Sequence, residues 1–171
     1  MPTKKTKKPT IDEIITKTIY ATRIDCAQTP KDTYKATEKR LYAYPVIKEK
    51  VNYDKEILER YLSGEKPSKG NWFVRFQKSG VRLSDEDILD MLTQDIIAKI
   101  AANEYELETI DRAMEIISND QYIKIIFCLY FQGMSIAETC DDAYCDRSTV
   151  FRQKSRLVQR LATFLYGTNA L

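Results

Sequence analysis

The chain has 171 residues, with 27 Lys+Arg against 25 Asp+Glu, 43% hydrophobic and 30% charged residues, which suits one ordinary domain or a small domain with an appendage and suffices for a modest core without disulfides or a metal. Five glycines and five prolines leave little turn material for a sandwich or barrel, and no apolar run approaches the ~20 residues of a membrane span. The absence of histidine excludes triad hydrolases, His-ligated zinc and any imidazole base.

The N-terminus lacks the apolar core of a signal peptide, so the expectation is a soluble, cytoplasmic protein with no membrane partner. Residues 1–10 carry Lys4, Lys5, Lys7 and Lys8 with two prolines, which predicts a flexible basic tail. From 11 to 83 the pattern predicts a helical region with a loop. Ile11, Ile14, Ile15 and Ile19 mark a short helix closed before Pro30. A second stretch, Lys31 to Tyr44, meets Pro45, which is expected to kink or break it before the pattern resumes at Val46. Gly64 to Gly80 reads as loop and holds Trp72, Phe73 and Phe76 among Arg75, Lys78 and Arg82. Such aromatics either stack on bases or, more commonly in a helical protein, plug a hydrophobic gap.

Residues 84–117 predict one long amphipathic helix. Leu89, Leu92, Ile96, Ile100, Asn103, Leu107, Ile110, Met114 and Ile117 recur at spacings of three and four, and Ser84 with Asp87 marks the N-cap. Two arrangements fit this seam: a second copy in a coiled-coil homodimer, with Asn103 fixing register, or packing on the chain's own N-terminal helices. Eleven acidic residues lie between Asp85 and Asp120, opposed only by Lys99 and Arg112, whereas Arg147 to Leu171 holds five basic residues and no acidic one. The acidic helix would repel phosphate and is expected to point away from DNA. The four cysteines, Cys26, Cys128, Cys140 and Cys145, form no CxxC pair and read as reduced, packed thiols, not as a zinc site.

Residues 118–171 carry the functional pattern. Tyr122, Ile123, Ile126, Phe127 and Tyr130 predict an apolar helix ending near Gly133. Ser135 and Glu138 form a capping box for a short helix with Ile136, Cys140 and Ala143 inward, and Asp146 caps a third helix with Val150, Leu157, Val158, Leu161 and Leu165 inward. This is helix–turn–helix spacing, in which the second helix packs across the third and holds its far side out for the major groove. Helical periodicity places Ser148, Arg152, Ser155 and Gln159 opposite Val150, flanked by Phe151 and Arg156. With Arg147 and Thr149 these make the candidate DNA-contacting set, guanidinium groups for phosphate or guanine and hydroxyls or amide for bases or phosphates. Lys154 projects toward the core sector and is expected to snorkel. Glu138, Asp141, Asp142 and Asp146 could in principle hold magnesium, but two read as cap residues and two as solvent-facing charges. No enzyme activity and no cofactor are expected.

Residues 120–167 resemble region four of sigma-seventy-type factors, and more closely the sigma-like C-terminus of phage late-gene activators of the ArpU and RinA families, most specifically in "STVFR" (Ser148 to Arg152) and "LYG" (Leu165 to Gly167). "TEKRLYAYPVIKEKV", Thr37 to Val51, resembles a segment those families carry ahead of a helical spacer. Two positions depart from the pattern: Tyr144 stands where the turn usually has Gly, and Ala143 where Leu is usual. The resemblance implies an all-α, DNA-binding activator of a phage or prophage late operon, with double-stranded DNA and host RNA polymerase or its sigma factor as partners, and DNA contacts at Arg147, Ser148, Phe151 and Arg152. Other functions compatible with the sequence are a phage terminase small subunit and a polymerase-binding protein that does not read DNA.

Overall fold

The described residues of the computed structural model are 30–65 and 84–170, and all regular structure among them is helical. The tail, the Ile11–Ile19 segment, and the aromatic and basic residues at 72–82 lie outside that range. Helix α1, Thr33–Leu62, starts at Asp32, whose carboxylate accepts the Lys35 N–H at 2.9 Å. It continues through Pro45, so of the expected kink or break the break does not occur. Proline in a helix interior costs about 3 kcal/mol, because it donates no hydrogen bond and crowds the preceding turn. Leu41 and Val51, on either side of it, are both buried, so ending the helix at Pro45 would uncover one anchor or the other.

Helix α2, Asp85–Ile116, opens with the predicted capping box: Ser84 Oγ accepts the Asp87 N–H at 3.1 Å and Asp87 accepts the Ser84 N–H at 3.2 Å. Its seam packs against α1, burying Ile100, Ile110, Met114 and Ile117. A bidentate Arg40–Glu106 pair (2.6 and 2.9 Å), the Tyr44 hydroxyl donating to Asp111 (2.7 Å) and a Lys55–Glu104 pair (2.6 Å) tie the two helices together. Within the chain α1 therefore covers part of the seam, while Leu89, Leu92 and Ile96 at its amino half are half-buried.

Helix α3, Ile123–Ile126, widens into a π turn at Phe127–Phe131, where the Gln132 N–H reaches back to the Phe127 carbonyl at 3.0 Å. Gly133 at φ 66° then reverses the chain. Helix α4, Ile136–Asp142, carries the predicted Ser135/Glu138 capping box. Residues 143–146 lead to α5, Arg147–Tyr166, which ends at Gly167 in a 3-10 turn, Gly167–Ala170. Every described element is helical, as expected of an all-α chain. No described helix is long and apolar enough to cross a membrane.

One buried cluster unites Leu41 of α1, Ile110, Met114 and Ile117 of α2 and its end, Ile125 to Tyr130 around α3, and Val150, Leu157 and Leu161 of α5. It crosses the boundaries read from the sequence at 83/84 and 117/118, so charge and periodicity there mark changes of element and not of core.

The turn before α5 holds Tyr144 at φ 51° with its ring 93% exposed. The left-handed conformation costs a residue with a Cβ roughly 1–2 kcal/mol, and glycine returns about 0.4–1 kcal/mol of that as unfolded-state entropy. Tyr144→Gly is therefore expected to unfold at higher urea than Tyr144→Ala, by about 0.5–1 kcal/mol. The alanine variant removes the same ring, so contacts of the phenol cancel between the two. Equal midpoints would mean that the turn stores no strain.

Candidate nucleic-acid interface

The amino end of α5 is organised by Asp146. Its carboxylate accepts the Ser148 hydroxyl at 2.6 Å, the Thr149 N–H at 2.9 Å and the Thr149 hydroxyl at 2.8 Å. These bonds, the Ser148 hydroxyl's first, hold its carboxyl far below the ordinary range. The cap fixes the first turn of α5 and commits Thr149, which is half-buried, to an internal partner.

Behind that turn, Val150, Leu157, Val158 and Leu161 are sealed in the core. In front of it, Arg147, Ser148, Phe151, Arg152 and Ser155 are all exposed on adjacent turns of one helix face. The Arg147 guanidinium lies over the Phe151 ring, 5.6 Å from its centroid. Arg152 and Ser155 have no side-chain partner among the described residues. Periodicity sets Phe151 on the flank of the exposed arc, and the structure leaves it 44% exposed.

Four of the candidates bond to protein partners: the Ser148 hydroxyl is taken by the Asp146 cap, and three more are engaged likewise. Thr149 belongs to the cap. Arg156 is held by Asp120, at 2.8 Å, and by Gln153, at 2.6 Å. Gln159 is half-buried and donates its amide to the Ala170 carbonyl, fastening the 3-10 turn to α5. Periodicity locates the side of α5 opposite the core, but it cannot see that the end of α2 and the last turn of the chain cover one edge of that side. Asp120 also takes Arg160 at 3.2 Å.

Lys154 does not snorkel to solvent. Its ammonium meets Glu38 of α1 at 2.8 Å, and the same carboxylate oxygen accepts the Tyr130 hydroxyl at 2.6 Å. The sequence signal for this contact was present, a lysine on the core side of a helix, but its partner is 116 positions away.

The acidic residues around the turn are used structurally. Glu138 completes the α4 capping box, and hydrogen bonds from the Ser135 backbone and hydroxyl lower its carboxyl. Asp141 is exposed. Asp142, expected to face solvent, is half-buried, pairs with Lys124 at 3.0 Å and accepts the Cys128 thiol at 3.1 Å. Burial, together with that carboxylate, pushes the Cys128 thiol up to about 11. Cys140 and Cys145 are free thiols. Among the described residues no group of three or more Cys, Asp or Glu side chains is placed to hold a metal.

The Asp120 pairing yields a pH-dependent expectation. The Arg156 hydrogen bond lowers the Asp120 carboxyl, so its stabilisation is present above the unfolded value, about 3.9, and is lost as pH falls through the folded value. Asp120→Asn is expected to be less stable than the wild type at pH 7, and the difference should shrink as the pH drops below about 4. A difference that stays constant down to pH 2 would show that the carboxylate charge is irrelevant.

No family model, no curated protein and no solved structure matches the chain.

Proposed function

We propose that this chain is a sequence-specific DNA-binding regulator of transcription, an activator of a phage or prophage late operon acting with host RNA polymerase, and that α4, the 143–146 turn and α5 are its helix–turn–helix. The observation that carries the reading is the face of α5 formed by Arg147, Ser148, Phe151, Arg152 and Ser155, exposed on consecutive turns behind a rigid Asp146 cap, with the opposite face locked in the core. Exposed arginines at the amino end of a helix that stands on a second, shorter helix are what base reading in the major groove requires. Glu138, Asp142 and Asp146 are engaged as cap residues or in an ion pair and Asp141 is exposed, and this reading gives them no catalytic part. Helix α2, with ten acidic and two basic residues from Asp85 to Ile116, is repelled by the duplex and is the surface left for polymerase or its sigma factor.

Terminase small subunits also join such a motif to oligomerising helices. Here α1 packs on the seam and buries Ile100, Ile110, Met114 and Ile117, while Leu89, Leu92 and Ile96 stay half-buried; a seam partly occupied within the chain favours the regulatory reading. Genome-wide mapping of bound DNA during prophage induction tests it: one promoter-proximal peak is expected, and a peak confined to a packaging start site, with stimulated terminase cutting, would move the function to packaging.

The basic tail contributes sequence-independent affinity. Removing residues 1–10 takes away Lys4, Lys5, Lys7 and Lys8. The slope of log affinity against log salt is expected to fall by up to about 0.9 for each phosphate that a tail lysine no longer neutralises, with the thermal unfolding midpoint unchanged. An unchanged slope would make the tail a bystander.

A further inference from the structure

On the exposed face of α5, one side chain is out of character. Phe151 is 44% exposed at the flank of an otherwise polar and basic surface. The adjacent Val150 is fully buried, whereas Phe151, about 100° further round the helix, stands at the edge of the core-facing side with much of its ring in solvent. Among the described residues its ring partner is the Arg147 guanidinium, 5.6 Å from the centroid, which covers part of the ring and holds it in place. On either side stand Arg152 and Ser155, neither with a partner among the described residues.

Base edges in the major groove offer donors, acceptors and a single apolar group, the C5-methyl of thymine. Among the base edges, an aromatic ring that enters the groove on this face can exclude water from apolar surface against that methyl. We infer that Phe151, braced by Arg147, reads the 5-methyl group of a thymine in the bound site, beside a base pair contacted by Arg152. The inference rests on the DNA-reading function proposed above and adds a base identity to it. It also assigns roles within the face: Arg152 reads hydrogen-bonding groups, while Phe151 recognises a group that makes no hydrogen bond.

The test is selection of duplexes from a random pool with the full-length protein, followed by replacement of each consensus thymine in turn by deoxyuridine, which deletes the methyl and keeps every hydrogen bond. One replacement is expected to weaken binding about fourfold, the equivalent of ~0.8 kcal/mol for one buried carbon. Phe151→Ala should bind the thymine and uracil duplexes equally, while Arg152→Ala should retain the fourfold preference at lower overall affinity. Phe151 is on the surface, and circular dichroism and urea unfolding of the alanine variant verify that it folds. A consensus with no uracil-sensitive position, or one whose sensitivity survives Phe151→Ala, would overturn the thymine assignment and leave DNA reading intact; contact of the ring with deoxyribose carbons would give the first of these results. Failure of the selection to yield any consensus would instead remove the DNA-reading function.

Discussion

Replacing Glu38 by alanine is expected to lower the unfolding free energy by about 2–3 kcal/mol. Glu38 receives both the Lys154 ammonium and the Tyr130 hydroxyl on one oxygen, and the Lys154 and Glu38 side chains are only 22% and 21% exposed. Removing one member of a fully buried pair costs about 3–5 kcal/mol, because the other is left charged and unpaired. The remaining exposure here reduces that figure. Glu38→Gln keeps an acceptor for Tyr130 and should cost less. Adding Lys154→Met to Glu38→Ala should restore part of the stability, since the unpaired ammonium is then gone. A urea midpoint unchanged in Glu38→Ala would mean that the junction contributes nothing.

The same junction has a defined pH window. Burial pushes the Glu38 carboxyl up, but hydrogen bonds from Lys154 and Tyr130 outweigh it and hold the group below its ordinary value. Its contribution is therefore present above the unfolded value, about 4.3, and disappears as pH falls through the folded one. Burial lowers the Lys154 ammonium, and the Glu38 bond more than compensates, leaving it raised. That contribution is complete below about 10.4 and is lost as pH rises through the folded value. The wild type should exceed Glu38→Ala in stability across this plateau and converge with it at both ends.

Arg152→Ala is expected to weaken binding to the selected DNA site by about 1–3 kcal/mol, the discrimination carried by one bidentate base contact, with a smaller effect on random duplex. Arg156→Ala supplies the contrast. Because Arg156 is held by Asp120 and Gln153, its removal should lower stability more than it alters base preference. Competition assays at one fixed salt concentration, with selected and random duplexes, separate the two outcomes. If Arg156→Ala relaxes the base preference and Arg152→Ala does not, the reading face lies on the other edge of α5.

Much of this molecule was legible before any coordinates. The three capping signals, Ser84 with Asp87, Ser135 with Glu138, and Asp146, appear as side-chain hydrogen bonds at the ends of α2, α4 and α5. They were readable because a cap is closed within three residues by groups that have no better local partner. The inward faces of α2 and α5 were likewise readable from spacing alone, whereas the awkward Tyr144, at φ 51°, was flagged by the resemblance, whose pattern has Gly at that turn.

Tertiary structure decided the rest, and in each case the deciding group lies far away in sequence. The spacing of the α2 seam does not name the element that meets it, and α1 is the one that packs there within the chain. Pro45 carried a local signal to stop, which burial of Leu41 and Val51 in one helix overrode. Arg156 and Gln159 sat on the correct side of α5 by periodicity, but Asp120 and the Ala170 carbonyl occupy them. Lys154 faced the core without a visible partner until Glu38 arrived from α1. Periodicity reports which side of a helix avoids water, a property of neighbouring residues along the chain. Which group a side chain meets there depends on how distant helices are brought together, and the local pattern contains no record of that.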